Sequence, residues 1–274
     1  MMLSKPPFEF RQGTAPLLVS MPHVGTELPE CMRGRLSEAC APLGDTGWHL
    51  PRLYDFVEAM GASVLAARYT RFAVDLNRPP DDTPLYTTAT TGLHPDIIFD
   101  GTPAFREGEC LTAGECQGFL EEIWHPYHQR IGDELDRIKA RHGYALLFDA
   151  HSIRGEVPRL FEGVLPEFNI GTNDDKSADP RLTERLADVL NAAPGRRVAV
   201  NGRFKGGYIT RRYGRPKHDI HAVQLELVQR TYMSETPPYE YLPEAAAQVR
   251  PYLERFVATM LEWGRSRQAL RFSP

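Results

Sequence analysis

The feature that most constrains this chain is a set of short apolar runs that each stop at, or enclose, a polar residue. Leu17 to Ser20 ends at Pro22-His23, and Ala145 to Phe148 runs straight into Asp149-Ala150-His151. Ala222 to Val228 carries Gln224 and Glu226 inside it. Ser63 to Ala67, Phe72 to Asp75 and Val198 to Val200 are further runs of this kind, and all read as buried strands. Segments of helical period lie between them. Thr46 to Met60 reads as a helix capped by Thr46 and stopped at Gly61. A long helix is predicted over about residues 114 to 142, kinked at Pro126 and ended by Gly143. Asp179-Pro180 opens another, to about Ala193, and a last one runs from Pro243 to about Leu270 with Pro251 as a break or kink. Residues 152 to 178 read as irregular. The alternation predicts an α/β fold, a mixed β-sheet flanked by helices.

Composition narrows the classes. The chain has 274 residues, read as a single domain over 1–274, with 42% hydrophobic and 25% charged residues, so it can bury a core. Lys and Arg number 32 against 36 Asp and Glu, a net charge of −4, and this is not the basic excess of a protein that binds nucleic acid. There is no run of 18 apolar residues, so no membrane span is expected. The opening MMLSKPPFEF has no apolar run of signal-peptide length. Cys31, Cys40, Cys110 and Cys116 form no C-x-x-C pair and read as reduced thiols of a cytoplasmic protein.

The ends of apolar strands are where open α/β sheets place ligands. His23 leaves its strand between a proline and a glycine two residues on, a stiff entry and a permissive exit that suit a metal ligand. His151 shares a strand face with Asp149, which can buttress it as carboxylates do for metal-bound imidazoles. Asp45, just before Thr46, is the candidate third ligand, since a catalytic zinc takes three protein ligands. Taken alone, Asp45 reads better as a capping carboxylate. Glu226, between two leucines in a strand, is expensive to bury without a task, and suits a general base. Asn77-Arg78 follows another strand, Arg154 lies beyond His151, and Arg203 belongs to a cationic stretch from Arg196 to Lys217. Such cations suit a small carboxylate substrate. The segment 77–112, rich in Pro, Thr, Asp and Gly, is long enough to be functional. His125-x-x-His128 could chelate, but Trp124 and Tyr127 place it against the core.

In these segments the chain resembles the N-formylglutamate amidohydrolase (N-formylglutamate deformylase) family. They are SMPHVGTELP, DTGWHL, RFAVDLNRPP, LLFDAHSIR, PRLFEGVLPEFNIGTN, NGRFKGGYITRRYG and AVQLELVQRTYM, in order from residue 20 to residue 233. The resemblance implies a zinc-dependent hydrolase with a zinc-exopeptidase-like fold, related to the zinc carboxypeptidases, that removes formate from N-formyl-L-glutamate in histidine degradation. It implies His23 and His151 as metal ligands, Glu226 as the proton-transferring glutamate, and Asn77-Arg78 as a substrate-gripping pair, with Arg78 also at the oxyanion. Carboxypeptidases take their acidic ligand three residues after the first histidine, and here that position is Thr26. Asp45 is the preferred acidic ligand, with Glu27 as the alternative. Arg154 and Arg203 are expected to hold the substrate carboxylates. Two other readings stand beside this one: a hydrolase of another N-acyl amino acid, and a binding protein that uses the same pocket without catalysis.

Overall fold

The computed structural model describes residues 3–271, with side chains described to residue 266. Residues 1–2 and 272–274 of the expected 1–274 domain lie outside the described residues. The strands are β1 (Phe8–Arg11), β2 (Leu17–Met21), β3 (Ser63–Ala67), β4 (Ala145–Ile153), β5 (Phe168–Gly171), β6 (Val198–Val200) and β7 (Ile220–Val228). They form one mixed seven-stranded sheet in the order β1-β3-β2-β4-β7-β5-β6. The central pairs β2–β4 and β4–β7 are parallel, while β1 and β5 run antiparallel to β3 and β7. The helices are α1 (Leu50–Leu53), α2 (Phe56–Ala59), α3 (Ala113–Phe119), α4 (His125–His142), α5 (Pro180–Asn191), α6 (Tyr208–Tyr213) and α7 (Pro243–Arg271).

The two middle strands, β4 and β7, explain the layering. Both are buried along nearly their whole length, so both faces of the sheet must be covered. One face packs Phe148, Val223 and Leu225 against Leu182 and Leu186 of α5 and Phe256 and Val257 of α7. The other packs Leu147 and Ala222 against Tyr127, Ile131 and Leu135 of α4. The α/β class and the helix-flanked mixed sheet agree with the sequence reading.

Several local expectations are corrected. The helix expected over Thr46 to Met60 is two single-turn pieces, α1 and α2. His49 adopts a left-handed conformation (φ 63°) at the start of α1, and Pro51 lies in its first turn, where it cannot continue an earlier helix. Thr46 caps nothing, and its hydroxyl is buried without a partner. Phe72 to Asp75 is not a strand: Ala73 N–H donates to the Thr70 carbonyl in a turn, and the run is apolar because it is buried under the loop that follows. The long helix runs as α3, a π turn over Leu120–Trp124 and α4, with the π turn just before Pro126. The missing N–H of Pro126 then falls in the first turn of α4, where it costs little. α7 runs through Pro251 as one helix. Strands β1 and β5 and helix α6 were not expected.

Candidate functional site

The site lies at the carboxyl ends of β2, β4 and β7. β4 and β7 are paired so that Asp149 stands beside Gln224 and His151 beside Glu226. Side chains two apart on a strand share a face, so Asp149, His151, Gln224 and Glu226 all point the same way. His151, Gln224 and Glu226 line a pocket, partly open to solvent, that His23, Arg71, Asn77, Arg78 and Arg203 also line.

Each histidine is held by a buried carboxylate. His23 Nε2–H donates to Asp75 Oδ1 at 2.7 Å, and His151 Nε2 lies 2.9 Å from Asp149 Oδ2. A carboxylate can only accept, so in His23 Nε2 carries the proton and Nδ1 keeps the lone pair, while His151 Nε2 faces both a carboxylate oxygen and the Asn77 Nδ2 donor. Neither Nδ1 takes a hydrogen bond among the described residues. The two rings stand edge to face with centroids 4.9 Å apart. Burial lowers the His23 pKa to about 4, so this imidazole is neutral at pH 7. Burial pulls His151 the same way, but Asp149 outweighs it and the net direction is upward. Burial also opposes charge on Asp75, yet His23, Arg71 and Arg78 hold its carboxyl well below the usual carboxylate range.

Glu226 is shifted toward neutrality. Burial raises its pKa from 4.5 to about 7, against the pull of His151 and Arg71. A carboxyl that titrates near neutrality can both take and return a proton. Gln224 sits beside it, with Nε2 at 3.5 Å from Glu226 Oε2 and Oε1 accepting from Gly207 N–H. Gly207 has to be glycine, because a Cβ there would lie 2.3 Å from the Asn77 amide.

Asn77 is tied into the centre: its Nδ2 is 3.2 Å from Asp149 Oδ2 and 3.0 Å from His151 Nε2, and its Oδ1 accepts from Ile209 N–H. Arg78 lines the pocket and donates to the Thr91 carbonyl and the Thr90 hydroxyl. Arg203 does the same from the other side, donating to the carbonyls of Leu160 and Ala89. Thus part of the long segment 77–112 forms the pocket wall.

Three of the expected residues, Asp45, Arg154 and the alternative Glu27, are not among those that line the pocket. Asp45 is buried, but Oδ2 accepts from Phe99 N–H at 2.6 Å and Oδ1 faces Arg154 Nη2 at 3.5 Å. Burial raises its pKa. Arg154 therefore turns to Asp45 and is not among the pocket-lining residues. Glu27 is at the surface, paired with Lys5.

Two residues escaped the sequence reading. Arg71 is 5% exposed, donates to Asp75 Oδ2 at 2.5 Å and Thr91 Oγ1 at 3.1 Å, and covers the Phe99 ring. Asp75 orients His23. The signal for Asp75 was present, since it ends the apolar run Phe72-Ala73-Val74 as Asp149 ends its own. Arg71 offered none, because a lone arginine reads as surface.

The donor set suits a divalent ion at two positions. His23 and His151 are adjacent imidazoles, and the Oδ1 of Asp149 is buried without a partner. A third donor is not assembled: among the described residues no three His, Cys, Asp or Glu side chains stand together as a metal set.

Comparison with known proteins places this geometry in context. The family model described as N-formylglutamate amidohydrolase matches residues 15–233. An N-formylglutamate deformylase of Pseudomonas aeruginosa is 55% identical over 260 residues, 95% of this chain and 98% of that protein. The N-formylglutamate deformylase of Pseudomonas putida is 52% identical over 258 residues, 94% and 97% of the two chains. In three dimensions, the crystal structure of an N-formylglutamate amidohydrolase from Ralstonia eutropha superposes with a TM-score of 0.82 at 24% identity, over 96% of this chain and 99% of that one. A protein of Agrobacterium tumefaciens gives a TM-score of 0.72 at 14% identity, over 96% of each chain. At these identities the two structures bear on the fold.

Proposed function

The chain belongs to the N-formylglutamate amidohydrolase family, and from that premise we propose that it hydrolyses N-formyl-L-glutamate to formate and L-glutamate with one divalent metal ion, zinc, as cofactor. The observation that carries the reading is the pairing of His151 with Glu226 inside a pocket walled by Arg71, Arg78 and Arg203. Two carboxylates of the substrate call for such cations, and arginine grips a carboxylate through two parallel hydrogen bonds.

His23 and His151 would hold the ion, with Asp45 as the acidic ligand once it gives up Phe99 N–H and Arg154, and Glu27 as the alternative. When bound, a divalent ion supplies Lewis-acid polarisation and a more acidic water. The chain's own residues do the rest. Glu226 takes the proton of the attacking water as the new C–O bond forms at the formyl carbon. Arg78 faces the oxygen on which negative charge develops. As the C–N bond breaks, Glu226 returns the proton to the leaving amine, which its near-neutral pKa allows. Arg203 and Arg71 hold the substrate carboxylates, and Arg154 serves through Asp45.

We place the reaction in the cytoplasm, in histidine degradation. All four cysteines are free, as a reducing compartment requires. No helix among the described residues is long and apolar enough to cross a membrane.

Steady-state kinetics on a panel of N-formyl and N-acetyl amino acids tests the proposal. N-formyl-L-glutamate is expected to have the highest kcat/KM. Faster turnover of an N-acetyl substrate would move the protein to another N-acyl specificity, and binding without turnover would make it a binding protein.

A further inference from the structure

Asn77 and Arg78 face the pocket from an irregular segment, not from a strand or helix, so something outside the pocket must hold them. The backbone shows what does. Three consecutive carbonyls are each taken by a donor from a neighbouring helix. Leu76 C=O accepts from His128 Nε2–H at 2.9 Å, Asn77 C=O from Tyr208 N–H at 3.3 Å, and Arg78 C=O from Trp124 Nε1–H at 3.0 Å.

Trp124 and His128 act together. They are one turn apart, and their rings stack with centroids 3.8 Å apart and planes 26° apart. The Tyr213 ring lies nearly parallel to His128, and its hydroxyl lies 3.1 Å from Nδ1 and donates to the His128 carbonyl at 2.8 Å. The acceptor at Nε2 is a carbonyl, so the proton is fixed there and Nδ1 keeps its lone pair. Both side chains are buried and neither lines the pocket. Trp124 is the last residue of the π turn, a wide turn that shifts the register of α4 relative to α3. Pairing two polar donors in a core needs acceptors to match, and the segment that carries Asn77 and Arg78 supplies them.

We propose that Trp124 and His128 are positioning residues for the reaction, which set Asn77 and Arg78 by gripping the carbonyls on either side of Asn77. The proposal rests on the reading of Asn77 and Arg78 as substrate-facing.

The test is a set of variants, Trp124→Phe, His128→Leu and His128→Gln, each made alone and in an Arg78→Ala background. Trp124→Phe keeps the ring and its stacking and removes only the donor. It is expected to lower kcat/KM for N-formyl-L-glutamate about tenfold, with metal content unchanged, since a displaced side chain loses more than the hydrogen bond itself. In the Arg78→Ala background the same change should have a smaller further effect, because the part of its route that runs through Arg78 is gone. His128→Gln, which still offers an amide N–H, should restore most of what His128→Leu loses. Equal losses in both backgrounds, or unchanged kinetics, would overturn the proposal. A second readout does not depend on the substrate. Hydrogen exchange of the peptide spanning residues 75–79 should speed up in Trp124→Phe while β4 and β7 stay protected. Unchanged exchange there would refute the positioning role. Absence of turnover in the parent, together with faster local exchange in the variant, would count against the proposed substrate and leave the positioning role standing.

Discussion

His151 on β4 and Glu226 on β7 are paired residue to residue across adjacent parallel strands, and both side chains are buried at the floor of one pocket. A candidate proton-transferring carboxylate is thereby fixed beside a candidate ligating imidazole by backbone pairing, and no loop has to order to bring them together. Glu226 is braced on its other side by β5, where Asn169 Nδ2–H donates to the Glu226 carbonyl at 3.3 Å.

Metal content separates the candidate ligands. His23→Ala and His151→Ala are each expected to lose the ion when purified protein is measured by elemental analysis. Asp45→Ala should lose more of it than Glu27→Ala, because Glu27 lies at the surface with Lys5 while Asp45 is buried near the pocket. The opposite ranking would make Glu27 the acidic ligand.

Arg78→Ala is expected to lower kcat more than it raises KM. The guanidinium donates to Thr90 and Thr91 as well as facing the pocket, so both binding and turnover are touched. An interaction made mainly in the transition state falls on kcat. A pure rise in KM would confine Arg78 to holding the ground state.

Glu226 should also govern stability as a function of pH. Its carboxyl is raised in the folded protein, so the folded state binds the proton more tightly than the unfolded chain. Stability from this group is present below about pH 4.5 and is lost as pH rises through about 7. Glu226→Gln carries no such loss. In chelator, the variant should match the parent near pH 5 and exceed it at pH 8, by up to about 3 kcal/mol for a shift of this size. Thermal melts at the two pH values measure it, and a variant less stable at pH 8 would show that the charge is paired after all.

Much of the frame was legible because it depends on local pattern. The apolar runs of β2, β4 and β7 and the period of two that puts Asp149 beside His151 need no tertiary knowledge. What was not legible depends on distant partners. Asp45 sits in front of what reads as a capped helix, yet its carboxylate is claimed by Phe99 N–H, 54 positions away. Arg71 looks like a surface cation and is buried because Asp75, Thr91 and Phe99 surround it. The run Phe72 to Val74 is apolar for the same reason as a strand would be, burial, and nothing in its period distinguishes a buried turn. His128 read correctly as core, but that core position also reaches the backbone of the site.

Glu226→Gln, assayed for turnover, KM and bound metal in one preparation, tests the central claim most directly. The substitution preserves shape and removes only the ability to accept a proton. The account predicts a fall in kcat of about 10²–10⁴ with KM and metal content near those of the parent. Full activity would contradict it by leaving the proton to another group, and loss of metal together with activity would make Glu226 a ligand instead of the base.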